Sequence, residues 1–141
     1  MKKYKFCIGI DCGVNTGITI WNPASKSIAY IDTVKIHFAM ELVARYASQH
    51  ENILVRVEDA RLRKWFGKGA SAKMQGAGSI KRDCKIWEDF LTDLKVDFEM
   101  VDPKRQKGLT KLSTDAFYKL TKYDGRTSEH ARDSAMLVIG F

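Results

Sequence analysis

The sequence predicts an α/β fold in which helices cover both faces of a five-stranded mixed sheet. Three apolar, β-branched segments near the amino terminus follow one another with only short turns between them, which predicts an antiparallel meander. Two later apolar segments are each reached through a helical segment, and such a crossover places the new strand parallel to an earlier one. The predicted sheet therefore has three antiparallel strands followed by two parallel ones.

The amino-terminal half contains the three hairpin strands, one helix and one crossover strand. The turns between the hairpin strands are "GVNTG" and "NPASKS", both rich in residues that favour turns. Apolar residues at helical spacing in "FAMELVARYASQH" indicate the helix, and the strand after it, "NILVRVED", ends in two acids. The predicted bounds are residues 4–12, 17–21, 28–36 and 52–59 for the strands and 38–50 for the helix.

The carboxyl-terminal half is predicted to contain three helices, one strand and two basic loops. The basic segment 60–82, which contains glycines, begins as a loop and becomes a long helix that runs to about Leu94. Ser113 is a good amino-terminal cap for the next helix, and Thr127 or Ser128 caps the last one. The other predicted bounds are 96–102 for the strand, 103–112 for the second loop, and 113–123 and 127–141 for these two helices. This order of elements is the arrangement of the ribonuclease H-like fold.

Length and composition fit a single domain over residues 1–141. Lysine and arginine number 24 against 17 acids, a net charge of +7, which indicates a polyanionic partner; a ribosomal or merely solubilising role is the alternative. The three cysteines lack CxxC spacing and are predicted to be small buried hydrophobes. No segment has roughly 18 consecutive apolar residues, and Asp11 interrupts the first apolar run too early for a signal peptide. A soluble, intracellular protein is expected.

Acidic residues stand at two places where strands are predicted to be neighbours. Asp11 lies near the middle of the first predicted strand, where a buried carboxylate costs several kcal/mol unless it binds a cation or hydrogen-bond donors. Hydrogen bonds to the glycine-rich turn that follows are the alternative explanation. Glu58 ends the strand expected beside the first, on the opposite face from Val55 and Val57.

The last predicted helix adds two more polar side chains. His130 and Asp133 are three residues apart and therefore share a helix face, while neighbouring alanines hold the helix against the sheet. Three carboxylates and one imidazole form the kind of ligand set that Mg²⁺ or Mn²⁺ prefers. Two such ions about 3.5–4 Å apart are the usual device for hydrolysing a phosphodiester. The predicted catalytic and metal-binding residues are Asp11, Glu58, His130 and Asp133.

Three motifs in register resemble those of the RuvC Holliday-junction resolvases. They are "IGIDCGVNTG" with Asp11, "VRVED" with Glu58 as the catalytic acid, and "EHARDSAML" with His130 and Asp133 at two metal-site positions. The resemblance implies a ribonuclease H-like homodimer that uses two Mg²⁺ or Mn²⁺ ions per active site. It implies a four-way DNA junction as substrate, nicked symmetrically on two strands to leave 5′-phosphates. The short chain resembles a phage or mobile-element form, which implies the cytoplasm of a bacterial or phage-infected cell.

The same resemblance suggests further roles. The family places an aromatic wedge shortly after the second acid; here Trp65 or Phe66 could stack on an exposed base, with core or dimer contacts as the alternative. Lys107, in the second basic loop, is expected to stabilise charge developing on the phosphate.

Basic residues are concentrated near the predicted acids. Between Arg56 and Lys85 there are nine basic residues against three acidic ones, nearly the whole charge excess. A solvated helix face is the ordinary explanation of such a run, but the neighbouring acid and glycines favour phosphate contacts, which position a nucleic acid without specifying its sequence. The predicted nucleic-acid-binding residues are Arg61, Arg63, Lys64, Trp65, Phe66, Lys68, Lys73, Lys81, Arg82, Lys104, Arg105 and Lys111.

Two other function classes stay open from the sequence. An RNA-processing nuclease would share the fold and the acids, and a non-catalytic nucleic-acid-binding module could keep the fold. A sugar-kinase or actin-like ATPase also begins with a "G-x-D-x-G" loop, but it needs a second large domain for which 141 residues leave no room.

Overall fold

The computed structural model describes residues 3–62, 70–106 and 111–141, and it describes only the backbone of residues 70–77, 105 and 106. Five strands and four α-helices make up the described chain, together with 3₁₀ turns at Ala60–Leu62 and Pro103–Gln106. The strands are β1 Phe6–Asp11, β2 Asn15–Asn22, β3 Ser27–Lys35, β4 Ile53–Glu58 and β5 Asp97–Val101. The helices are α1 Ile36–Gln49, α2 Ala70–Leu94, α3 Thr114–Thr121 and α4 Glu129–Met136.

The sheet has the predicted mixed topology, with strand order β3-β2-β1-β4-β5. Strand β1 is antiparallel to β2 and parallel to β4, and β4 is parallel to β5. Because β1, β4 and β5 run in the same direction, their carboxyl ends lie at one edge of the sheet. The prediction of three antiparallel strands followed by two parallel ones is confirmed.

One face of the sheet carries the main core. Ile8 and Ile10 of β1 are fully buried there, and Trp87 and Leu91 of α2 pack in the same cluster with Val43 of α1. Alternation along the strands turns every second side chain toward this face. The main core therefore fixes α1 and α2 against one side of the sheet.

The opposite face is covered by α4, which approaches the strands very closely. A Cβ atom added to Gly9 of β1 would collide with the carbonyl oxygen of Ser134, and one added to Gly17 of β2 would collide with that of His130. These two glycines allow the backbone of α4 to lie almost directly on the sheet. The predicted arrangement of helices on both faces is confirmed.

Several predicted element boundaries were wrong. Asp11 is the last residue of β1 rather than near its middle, and β2 begins at Asn15, two residues before its predicted start at Gly17. The last helix ends at Met136, and residues 137–140 continue as turns. The first helix begins at Ile36, two residues before its predicted start. The start of β2 differs because Gly17 pairs with Asp11 of β1, so the strand extends back into the predicted turn.

The three cysteines, Cys7, Cys12 and Cys84, are unpaired by disulfides and buried, as predicted. Within the described part of the chain, no helix combines the length and apolar character needed to cross a bilayer.

Candidate active site

The two predicted strand acids lie side by side at the carboxyl edge of the sheet. Asp11 ends β1 and Glu58 ends β4, and the register pairs the residues just before them, Ile10 with Val57. Glu58 is 9% exposed, and the Asp11 side chain is 15% exposed. The fold therefore gathers two mostly buried carboxylates from positions far apart in the sequence.

Both acids face α4. Asp11 lies two residues after Gly9, whose open side faces Ser134 of α4. Glu58 lies two residues after Arg56, whose guanidinium donates to the carbonyl oxygen of Leu137 at the end of α4, at 2.6 Å. Residues two apart in a strand share a face, so both carboxylates lie on the side of the sheet that carries the third acid and the histidine.

His130 contacts Asp11 directly. Its Nδ1 lies 2.9 Å from Oδ2 of Asp11, and its side chain is 58% exposed. An ionised carboxylate can only accept a hydrogen bond, so Nδ1 must carry the proton that is donated. In the neutral ring, Nε2 then holds the lone pair that can bind a cation, an arrangement common where a carboxylate orients a metal-binding histidine.

Asp133 lies one helical turn after His130. Its Oδ1 accepts a hydrogen bond from the backbone N–H of Lys111, at 2.7 Å. Burial raises the pKa of Asp133 above its usual range, and the hydrogen bond from Lys111 partly opposes that shift. This contact joins the start of the segment leading to α3 to the last acid of the site.

The four side chains differ in how far the structure brings them together. Asp11, Glu58 and His130 lie at one edge of the sheet, and Asp133 extends the set along α4. Among the side chains that the structure describes, no three potential ligands form a compact group that could hold a metal ion as they stand. The donor types suit a hard divalent ion, and their role as metal ligands stays a prediction.

Buried hydroxyl groups hold α4 in this position. The hydroxyls of Thr19 in β2 and Ser134 in α4 lie 2.8 Å apart, both fully buried, and Ser134 also donates to the carbonyl of Ala131 at 2.6 Å. Ser128, one of the two predicted caps, accepts from the N–H of Ala131 and begins the helix. The start of α4, with His130, is therefore fixed against β2.

The chain is similar in fold to a solved structure. No protein-family model matches the sequence, and no curated protein matches it. The structure of T. thermophilus RuvC in complex with Holliday junction substrate is similar, with a TM-score of 0.60 and 13% identity over 96% of this chain and 91% of that one. The chain has a RuvC-like fold. At this identity the likeness shows the ribonuclease H-like architecture that the sequence predicted.

In this RuvC-like fold, the main chain of Glu58 is supported from behind by two thiols. The sulfur atoms of Cys12 and Cys84 lie 3.7 and 3.6 Å from the carbonyl oxygen of Glu58. The neighbouring Cys84 thiol and burial both raise the pKa of Cys12. The cysteines were predicted only to fill space, and nothing in their sequence spacing indicates this pairing.

Arg61 makes ion pairs within the chain. Its guanidinium donates to both oxygens of Asp59, at 2.8 Å each, and to the two oxygens of Glu88 in α2, at 3.2 Å each. The Arg61 hydrogen bond holds the pKa of Asp59 below its usual range although Asp59 is only 3% exposed. Arg61 thereby ties the end of β4 to α2, and its predicted contact with nucleic acid stays a prediction.

Four other predicted basic residues lie in α2 or in the segments that follow β5. Arg82 and His130 line one groove, with a volume of about 730 Å³, between the β1–β2 turn, α1 and α2. Lys104 is exposed in the 3₁₀ turn that follows β5, at the same edge of the sheet as Glu58, and Lys81 is half-buried in α2. Lys111 meets Asp133 through its backbone.

The side chains of the remaining residues that were predicted to bind nucleic acid or phosphate lie outside the described part of the chain. Those outside the described residues are Arg63, Lys64, Trp65, Phe66, Lys68 and Lys107. Lys73 and Arg105 have only their backbone described.

Proposed function

We propose that this protein is an endonuclease that cuts branched DNA, four-way junctions in particular, by metal-assisted hydrolysis of phosphodiester bonds. The observation that carries the proposal is the adjacency of Asp11 and Glu58 at two strand ends, with His130 2.9 Å from Asp11. The RuvC-like fold supports it, because the similar RuvC structure is in complex with a Holliday junction.

The residues that would hold two Mg²⁺ or Mn²⁺ ions are Asp11, Glu58, His130 and Asp133. When bound, the ions supply activation of the attacking water and stabilisation of the leaving oxygen. The chain's own contribution is rigidity: two ligands stand at the ends of central strands, and two stand on a helix that glycines and buried hydroxyls hold against the sheet. The contact between Asp11 and Nδ1 would leave Nε2 of His130 to face a cation.

Cations around the site would bind the DNA backbone. Arg82 shares a groove with His130, and Lys104 lies at the carboxyl edge of the sheet, so both would be candidates to bind phosphates near the acids. Lys107 would stabilise the charge that develops on the phosphate. A homodimer would present two such sites and nick two strands symmetrically, leaving 5′-phosphates.

The test is incubation of an end-labelled mobile four-way junction with the protein and Mg²⁺, with the product ends mapped on a denaturing gel. We expect paired, symmetrical nicks from the wild type. Asp11→Asn should lose nearly all cutting and retain junction binding, because it removes one charge and keeps the shape. Asp32→Asn, an exposed acid on β3, is the matched control and should cut normally.

Divalent ions and substrate choice provide the outcomes that would contradict the proposal. Cutting that persists in EDTA, or an Asp11→Asn variant that cuts at the wild-type rate, would refute the metal-assisted mechanism. Preferential cutting of a structured RNA would instead favour an RNA-processing nuclease of the same fold. Tight binding of the junction without cutting either substrate would favour a non-catalytic nucleic-acid-binding module.

A further inference from the structure

Two thiols that lie far apart in the sequence meet directly behind the candidate active site. Cys12 follows Asp11, and Cys84 lies in α2. Their sulfur atoms contact the same acceptor, the carbonyl oxygen of Glu58, at 3.7 and 3.6 Å. The two thiols therefore converge on a single oxygen atom. Two thiols that separate elements bring to one acceptor atom are candidates for a disulfide bond, which needs the sulfurs to approach to about 2.05 Å.

The pairing is selective among the three cysteines of the chain. Cys7 points to the other face of β1, where it packs with Trp21 and Leu54 in a separate apolar cluster. Cys12 and Cys84 both belong to the main core on the opposite face. Cys7 is therefore an internal control: it is equally buried but has neither of the other thiols within its cluster.

A small oxidant has a route to the pair. Cys12 is 7% exposed and forms part of the wall of the groove of about 730 Å³ that also contains His130 and Arg82. Cys84 is fully buried behind it. Hydrogen peroxide that enters the groove meets Cys12 before Cys84. Because the raised pKa of Cys12 keeps the reactive thiolate scarce, we expect slow oxidation.

We propose that Cys12 and Cys84 form a redox modification site, at which hydrogen peroxide closes a reversible disulfide that disturbs the adjacent acids. The Cys12 sulfur attacks one peroxide oxygen and the O–O bond breaks, which leaves a sulfenic acid and one water. The Cys84 sulfur then displaces the hydroxyl group as a second water and forms the S–S bond. The two thiols lose two electrons, and one peroxide is reduced to two waters. A dithiol reductant reverses the step by exchange.

Closure acts on both acids through the backbone. The sulfurs must approach to about 2.05 Å, which pulls the residue after Asp11 toward α2. Neither sulfur then carries a hydrogen to donate to the Glu58 carbonyl, so that buried oxygen loses both thiol donors. A displacement of about 1 Å at a catalytic group can reduce a rate about 10²-fold. The consequence for cutting rests on the proposed function, whereas the disulfide itself does not.

The chemical test uses the full chain with Cys7→Ala, treated with hydrogen peroxide or with dithiothreitol. Remaining thiols are alkylated under denaturing conditions, and the protein is analysed by mass spectrometry. We expect loss of two hydrogens, no alkylation and a linked Cys12–Cys84 peptide after peroxide, and two alkylated thiols after dithiothreitol. Cys84→Ser, which keeps a donor for the Glu58 carbonyl, should give no such link, and Cys12→Ser should behave in the same way.

Two results would overturn the modification site. One is full alkylation of both cysteines after peroxide; the other is a disulfide that joins only two separate chains on a non-reducing gel. Junction cutting provides the second measurement. We expect at least a 10-fold loss on oxidation, full recovery in dithiothreitol, and no peroxide-induced loss in Cys12→Ser, which lacks the thiol that peroxide oxidises first. Unchanged cutting by the cross-linked protein would refute the regulatory effect. Absence of cutting in the reduced form, with the disulfide still forming, would refute the nuclease assignment alone.

Discussion

Replacing Gly17 by alanine tests whether the close approach of α4 positions the candidate active site. The added methyl would collide with the carbonyl oxygen of His130 and would lie 2.5 Å from its carbonyl carbon and 3.1 Å from the nitrogen of Ala131. All three are backbone atoms, so no side chain can rotate away. Ordinary carbon contacts begin near 3.5 Å, so the start of α4 must move by on the order of 1 Å.

Two opposing effects decide the change in stability. Alanine in a strand gains about 0.5–1 kcal/mol over glycine through the unfolded chain, while overpacking a close contact costs about 1–3 kcal/mol. We expect the free energy of unfolding to fall by about 1–2 kcal/mol, because the overpacking is the larger effect. Since the displacement falls on His130, junction cutting should drop about 10²-fold.

The assays are urea unfolding and the rate of junction cutting, with Gly78→Ala as the matched control. Gly78 lies in α2 with nothing within 4 Å of an added methyl, so this variant should gain about 0.5–1 kcal/mol and cut normally. If Gly17→Ala unfolded and cut like the wild type, the argument that this glycine sets the position of His130 would be refuted.

Three further predictions concern contacts around the site. Arg61→Ala should lower the free energy of unfolding by about 1–3 kcal/mol at pH 7. Because the fold lowers the Asp59 pKa, this loss of stability relative to the wild type should shrink as the pH falls through that lowered value. Urea midpoints measured over a series of acidic pH values would test this. Thr19→Val should cost about 1 kcal/mol, less when Ser134 is already alanine, in a double-mutant unfolding cycle. Arg82→Ala should weaken junction binding and reduce the slope of log affinity against log salt by about 1, whereas Arg45→Ala, on α1, should leave the slope unchanged.

The sequence alone determined the architecture of this protein, because its elements are encoded by local patterns. Three β-branched segments separated by short turns can only pair with their neighbours, and a strand reached through a helix lies parallel to the first. The same patterns placed Glu58 at the end of β4 and put His130 and Asp133 on one helix face. Periodicity therefore reports which face a residue occupies and roughly where its element ends.

Only the tertiary structure decided which of these faces meet. Asp11 and His130 are 119 positions apart, and their contact depends on how α4 crosses the sheet. Gly17, predicted at the boundary between a turn and the second strand, lies two residues inside that strand, and its missing side chain is what admits α4. The pairing of Cys12 with Cys84 follows equally from packing rather than from spacing. Contacts of this kind depend on the relative placement of whole elements, and local hydrophobic patterns carry no information about that placement.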